Sequence, residues 1–477
     1  MEESFWGKSF LLSRNILIAS LLMAVLCLCV SYPGNLYSDS YGRIELAGQL
    51  PGIIRDLLRG RPQEVHSWNT VTPCYFIALF QALTGNLATY TFIQAFFFFF
   101  VTLLLIRRIA IRHRHAAYAL YLVNPVFFCA SIYHETGIGV VIGLVSLILL
   151  LNEGLEGMSA SGRFLYFFLI FLSSFVAFGF RANTFTVLPV LLLVIFLRHR
   201  SWARRLTCAA CLFLGLFLDS FIPRLLKIDT MSSVSLGFIW EMGQNIASMP
   251  EKEFDANKDF LDDLFGEGST LRLCEWANEP GEDDLRGAIR RVASFSWEVA
   301  DFSREAISDV GLGKIFGRYL SLYARSPATS IKTKLRFISY TLGIYPRLKL
   351  KEWDYDRWER GKEFGMSDSL PRHRFMSAYR IAVNRSFLPL RPWLVLLVSL
   401  LCVFLKLRLS GGRARDSLDC QMILVSVFYY GAFVLNNQSM EFRYFYPAFY
   451  MLSLTIVGSV PFLASVAVSA VTGRSRR

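Results

Sequence analysis

The sequence predicts an all-α integral membrane protein of about ten transmembrane helices. Further re-entrant or interfacial helices and a mainly helical outer (periplasmic) segment complete the expected architecture. Three observations lead there. Of 477 residues, 54% are hydrophobic and only 18% charged, against about 45–50% and about 25% in soluble chains. Ten apolar runs approach or reach the ~17–20 residues that cross a bilayer. The surplus of 50 Lys and Arg over 37 Asp and Glu falls in clusters between those runs. The same composition excludes a disordered chain, which needs low hydrophobicity and high charge. Forty-two Phe and 20 Tyr argue against a nucleic-acid partner.

In chain order the runs are 15–32, 87–106, 116–133, 136–152, 164–180, 184–197, 205–222, 390–408, 418–436 and 443–466. The run at 184–197 is the shortest. The stretch 72–84 is too short to cross and reads as a re-entrant or interfacial helix. The first run lacks a small-residue cleavage site after Val30 and others follow at once, so it reads as a span rather than a cleaved signal peptide.

The charges set the orientation. Lys8 and Arg14 precede the first span, and Arg107, Arg108, Arg112 and Arg114 follow the second. Arg198, Arg200, Arg204 and Arg205 lie between the sixth and seventh. Lys406, Arg408, Arg413 and Arg415 follow the eighth, and Arg474, Arg476 and Arg477 end the sequence. With ten spans and a cytoplasmic N-terminus all five clusters lie inside, as the positive-inside rule requires. Counting 72–84 as a crossing would put the later clusters outside. The 153–163 loop is the one inside loop without a positive surplus. Both termini are then cytoplasmic. The chain divides into an N-terminal transmembrane module (1–222, with a first outer loop at 33–71), a large outer segment (223–389) and C-terminal transmembrane helices (390–477).

The inside loops are short and carry no Walker-type or dinucleotide glycine pattern, which argues against an ATP-driven pump. Most of the nine cysteines lie within spans, and the CAAC of 208–211 reads as small packing residues because ionised thiolates are costly there. Cys74 and Cys274 are the outer pair, and the sequence leaves open whether they bond. The outer segment is polarised. Residues 251–300 hold 13 acidic and 6 basic residues, and residues 301–390 hold 9 and 17. Basic helices interleaved with aromatics, such as the one bearing Lys332, Lys334 and Arg336, commonly lie near lipid head groups. Trp353-Asp354-Tyr355-Asp356 reads as a solvated turn among charges.

Ionisable residues cluster at the outer face rather than at mid-membrane, where ion-coupled transporters keep theirs. Asp219 is placed near the outer end of the seventh span. In the first outer loop Asp39 follows the first span closely, with Arg43 one turn on if the segment is helical. A carboxylate there suits a general base or a divalent-metal ligand, and an Arg beside it suits a phosphate. Ser38-Asp39-Ser40 equally suits a helix N-cap.

The order of short motifs resembles a family. The acidic residue after the first span is followed by His66-Ser-Trp-Asn-Thr-Val-Thr-Pro73, an aromatic short helix, and a bend at Gly85-Asn86. Next come a span ending in Arg107-Arg108, then Asn124-Pro125 and Tyr133-His134-Glu135. Tyr319-Leu-Ser-Leu-Tyr-Ala-Arg-Ser-Pro327 precedes a basic helix, and Glu441-Phe-Arg443-Tyr444-Phe-Tyr-Pro447 opens the last span. This succession is similar to the GT-C superfamily of polytopic glycosyltransferases, which use polyprenyl-phosphate sugars. It departs from the usual His/Lys-Pro-Pro motif, with His66-Ser67 and later Thr72-Pro73, and its first loop has no Asp-x-Asp.

The resemblance implies a GT-C-like fold. It implies an enzyme in the bacterial inner (plasma) membrane moving a sugar from a polyprenyl-phosphate donor to a hydroxyl of a surface polysaccharide, lipid or protein, with inversion. Asp39 and Glu135 match the acidic catalytic positions, with Asp39 also a potential ligand for Mg or Mn. Arg443 matches a donor-phosphate residue. Arg43, His66, Arg181, Lys332 and Lys334 are further candidates for substrate or phosphate binding. A lipid or glycan translocator, and a lipid-linked glycan polymerase or ligase, are the alternatives that share this topology.

Overall fold

A backbone in hydrocarbon must satisfy its own polar groups, so the apolar runs have only helix or closed barrel open to them. They form helices. The computed structural model describes residues 9–31, 38–61, 65–67, 70–110, 112–123, 136–153, 158–230, 233–278, 310–344, 391–413, 417–435 and 442–472. The helices that carry the apolar runs are α1 (Ser9–Ser31), α4 (Leu87–Ile109), α5 (Arg114–Val123), α6 (Thr136–Leu151) and α7 (Ala160–Phe180). They continue as α8 (Leu188–Arg198), α9 (Trp202–Leu225), α16 (Pro392–Ser410), α17 (Leu418–Leu435) and α18 (Phe442–Thr472). Between them lie α2 (Ser38–Leu58), α3 (Thr72–Thr84), α10 (Ser233–Ala247), α11 (Glu251–Asp255), α12 (Asp262–Phe265), α13 (Ser269–Asn278), α14 (Leu312–Arg325) and α15 (Pro327–Thr341).

Among the described residues six helices are long and apolar enough to cross a membrane: α4, α7, α9, α16, α17 and residues 445–472 of α18. Parts of other expected spans, the 116–133 run among them, lie outside the described residues. The run at 184–197 is described throughout and falls short of a crossing. It opens as a 3-10 turn, Ala182–Val187, in which the Thr186 hydroxyl donates to the Asn183 carbonyl at 3.0 Å and Thr184 N–H to the Arg181 carbonyl at 3.0 Å. What remains as α8 is 11 residues, about 16 Å of helix against a core about 30 Å thick. Helix α1 has 23 residues and α6 has 16, and each borders residues outside the described ones. Of the 116–133 run only α5 falls within the described residues.

One hydrophobic core joins helices from both ends of the chain, with Phe98, Tyr121, Ile148, Tyr166, Leu191, Tyr429 and Phe449 all buried in it. The N-terminal and C-terminal transmembrane helices thus form one bundle. Small residues allow close approach. A Cβ on Gly143 of α6 would collide with the α7 backbone at Ser173 and Ala177, and one on Gly215 of α9 with α7 at Ser174. Ser174 also donates to the Leu212 carbonyl at 2.8 Å, so α6, α7 and α9 pack as a sheaf.

The end of the bundle bearing the basic clusters is tied by polar contacts. Lys406 Nζ lies 2.6 Å from Asp419 Oδ2 and donates to the last-turn carbonyl of Ile109 at 2.8 Å. Asn152 and Gln421 exchange two side-chain hydrogen bonds, at 2.6 and 3.1 Å. Glu153 forms an ion pair with Arg108, which offsets part of the negative balance of a loop that has no positive surplus of its own.

The opposite, broader end carries the remaining described helices and strands. A second core holds Tyr41, Ile44, Cys74, Ile77, Tyr90 and Ile228, joining α2, α3 and the start of α4. Asn86 caps α4, its side chain accepting from Ala88 N–H at 2.8 Å. Gly85 supplies the left-handed turn (φ 69°) that closes α3. The bend expected at this pair is thus a cap-to-cap hinge. A third core, with Ile239, Met242, Leu261, Leu273, Ile315 and Leu322, holds α10, α13 and α14 together.

One element was not expected. Strands β1 (Val65–Ser67) and β2 (Ile228–Thr230) pair in parallel, with Val65 opposite Ile228, His66 opposite Asp229 and Ser67 opposite Thr230. Three residues are too few to leave a period-2 pattern in a sequence. The ribbon ties the end of the first broad-side loop to the exit of α9.

Candidate functional site

Helix α2 starts at Ser38, which puts Asp39 in its first turn and Arg43 one turn further on the same face. The helical spacing expected of this pair is therefore present. The Asp39 side chain, and what precedes Ser38, lie outside the described residues. Arg43 is buried, 5% exposed, and close enough to α3 for its charge to act on the Cys74 thiol.

The N-terminus of α3 is fastened to the ends of two spans. Thr72 donates to Asp219 Oδ1 of α9 at 2.7 Å. Thr70 donates to the Phe180 carbonyl at the end of α7 at 3.0 Å. Gly179, against which the Thr72 side chain lies, has no room for a Cβ. The next residue but one is Arg181, extended (φ −150°) between α7 and the 3-10 turn and only 9% exposed. The fastening of α3 thus collects Arg43, Asp219 and Arg181 at one end of the bundle. Taking a guanidinium out of water is costly without anionic or hydrogen-bonding company. Two of them, each less than a tenth exposed, lie at the same end of the apolar bundle as Asp219.

The other sequence candidates are distributed as follows. Glu135 lies outside the described residues, directly before α6. Arg443 is in the first turn of α18 and His66 in β1, and the side chains of both lie outside the described residues. Lys332 is exposed on α15.

Lys334 requires a correction. Its Nζ is 2.5 Å from Glu241 Oε2 and donates to the Leu435 carbonyl, the last of α17, at 3.0 Å. Glu241 is 1% exposed and also accepts from the Tyr319 and Tyr323 hydroxyls at 2.9 and 2.6 Å. A cation so engaged is the partner of a buried carboxylate, not a grip for a donor phosphate. Burial and the Glu241 carboxylate push both phenols above their ordinary value, so they stay protonated as donors. Sequence reading missed Glu241. The available clue was that it is the sole charged residue in the 15 residues of α10.

Among the described residues no three His, Cys, Asp or Glu side chains converge on a point that could hold a metal ion.

Cys74 and Cys274 are free thiols in separate hydrophobic cores. Burial pushes each up to about 12, and the thiolate is the reactive form. Maleimide is therefore expected to leave both unmodified in the folded protein near neutral pH and to label both after denaturation. Peptide mapping of the labelled chain checks this, and fast labelling of the folded protein would contradict it.

No family model, no curated protein and no solved structure matches this chain.

Proposed function

We propose that this chain is a membrane glycosyltransferase of GT-C type. In this reading it spans the plasma membrane about ten times, with both termini in the cytoplasm and the broad end of the bundle outside. A sugar moves from a polyprenyl-phosphate donor to a hydroxyl of a glycan, lipid or protein. The observation that carries the reading is the gathering of Arg43, Arg181 and Asp219 around the start of α3, at the ends of α7 and α9 remote from the basic clusters. Asp39 stands one helical turn from Arg43 on α2. A lipid phosphate arriving laterally would meet cations at this boundary, and such a donor needs no nucleotide site.

The chemistry follows from those roles. The Asp39 carboxylate accepts the proton of the acceptor hydroxyl. The hydroxyl oxygen forms a bond to the anomeric carbon from the face opposite the leaving group, so the configuration inverts. The bond from that carbon to the phosphate oxygen breaks, and its electron pair leaves on the lipid phosphate. Arg443 or Arg181 stabilises the charge that develops there, the kind of preorganised stabilisation that lowers such barriers most. Glu135, directly before α6, is the second acidic group.

The test is a donor panel with the full chain in proteoliposomes. A glycosylated acceptor formed from a polyprenyl-phosphate sugar is the expected result. Product only from a lipid-diphosphate glycan would replace the reading with a polymerase or ligase. Movement of lipid-linked sugar across the bilayer with no new glycosidic bond would replace it with a translocator.

A further inference from the structure

Helix α15 is inside-out. Its buried stripe, at helical spacing, is Ser330, Thr333, Phe337 and Thr341, three hydroxyls and one ring. On the other side Ile331 and Leu335 are 54% and 59% exposed, with Lys332 and Arg336 exposed beside them. A helix in water turns its apolar stripe inward. One that turns β-branched and leucine side chains outward has apolar surroundings there.

The depth of α15 agrees. Lys334 donates to the carbonyl of Leu435, the terminal residue of α17. Thr341, two turns on, accepts from the Tyr430 hydroxyl at 2.5 Å, and Leu342 accepts from Trp393 N–H, at the start of α16, at 3.2 Å. Tyr430 lies five residues inside the end of α17, so α15 descends about 7 Å alongside that span. Its second half therefore sits level with the terminal turns of two bundle helices long enough to cross a membrane. The neighbouring α14 has an ordinary apolar core face but carries a second apolar stripe on its outside. Ile315, Tyr319 and Leu322 are buried, while Leu312, Phe316 and Leu320 form a second, exposed apolar stripe with Lys314 exposed beside it.

We infer that the exposed face of α15, continued by α14, docks on the membrane leaflet at the broad end of the bundle. Ile331 and Leu335 enter the acyl boundary, and Lys332 and Arg336 hold the phosphates of anionic phospholipid head groups. Lys and Arg stems lie along apolar surface while their charges reach the head-group level, a placement that exposed Lys332 and Arg336 beside Ile331 and Leu335 allow. The inference gives Lys332 a lipid partner distinct from the donor. It stands independently of the glycosyltransferase reading, because none of its readouts involves sugar transfer.

The test uses the full chain in nanodiscs of phosphatidylcholine and phosphatidylglycerol. A benzophenone amino acid placed at Leu335, and separately at Ile331, is irradiated and the adducts are identified by mass spectrometry. Lipid adducts at both positions are expected. Cross-links to residues 279–309 or 345–390 of the same chain, or to a second copy, would overturn the inference, since protein would then cover the face. In a second arm, native mass spectrometry measures retained phosphatidylglycerol in Lys332→Gln and Arg336→Gln. Retention should fall about fivefold for each charge removed, with phosphatidylcholine unchanged. Equal retention of both lipids in variant and parent would also overturn it.

Discussion

Asp39→Asn is expected to lower the rate of sugar transfer by about 10²–10⁴-fold, the usual contribution of a positioned general base. The substitution keeps the size of the side chain and its place in the first turn of α2, so folding and donor binding should be preserved. A carboxamide cannot take the acceptor's proton. The attacking oxygen then carries its hydrogen into the transition state. Initial rates with a polyprenyl-phosphate sugar, measured beside donor affinity, separate the two effects. Normal rates would remove Asp39 from the chemistry, and a loss confined to donor affinity would make it a binding residue instead.

The second large effect concerns stability. Lys334→Met should destabilise the segment packed against the broad end by about 3–5 kcal/mol, because it strands Glu241 in a site that is 1% exposed. The Tyr319 and Tyr323 hydroxyls would still donate to the carboxylate, which places the expected value at the lower end of that range. Glu241→Gln in the Lys334→Met background removes the stranded charge and should recover much of the loss. Thermal unfolding of the purified chain in detergent reads both variants. Additive effects of the two substitutions would show that the pair is not coupled, contrary to its 2.5 Å geometry.

What could be read from the sequence depended on how many residues reported the same thing. Spans are reported by ~20 positions each, and so α4, α7, α9, α16, α17 and α18 were legible. The turn at Gly85-Asn86 was legible because each residue has a distinct task there, one closing α3 and one capping α4. The relation of Asp39 to Arg43 was legible once α2 was helical. The ribbon of β1 and β2 was not, since pairing across the bundle leaves no local pattern. The break at Ala182–Val187 was hidden because threonines and valine fit either a span or a turn. Lys334 and Lys332 have the same chemistry two positions apart, and only the partner helices α10 and α17 decide that one faces Glu241 and the other faces out. Arg181 was recognised as a candidate from its position at a helix end. Its burial beside the fastened start of α3 was not readable.

The ribbon also orders events during synthesis. Val65 and Ile228 are more than 160 positions apart in the chain, and contacts so distant form only after the intervening helices have been threaded into the bilayer. Thr72 likewise waits for Asp219. A nascent chain that has not yet delivered α9 therefore has the loop carrying Asp39 and Arg43 inserted but unfastened at both places. Assembly of this region is a late step, coupled to completion of the seventh apolar run rather than to the appearance of the loop itself. A chain stopped before Ile228 should hold its early helices in the membrane yet leave the first loop open to protease, and release of a few more residues should close it.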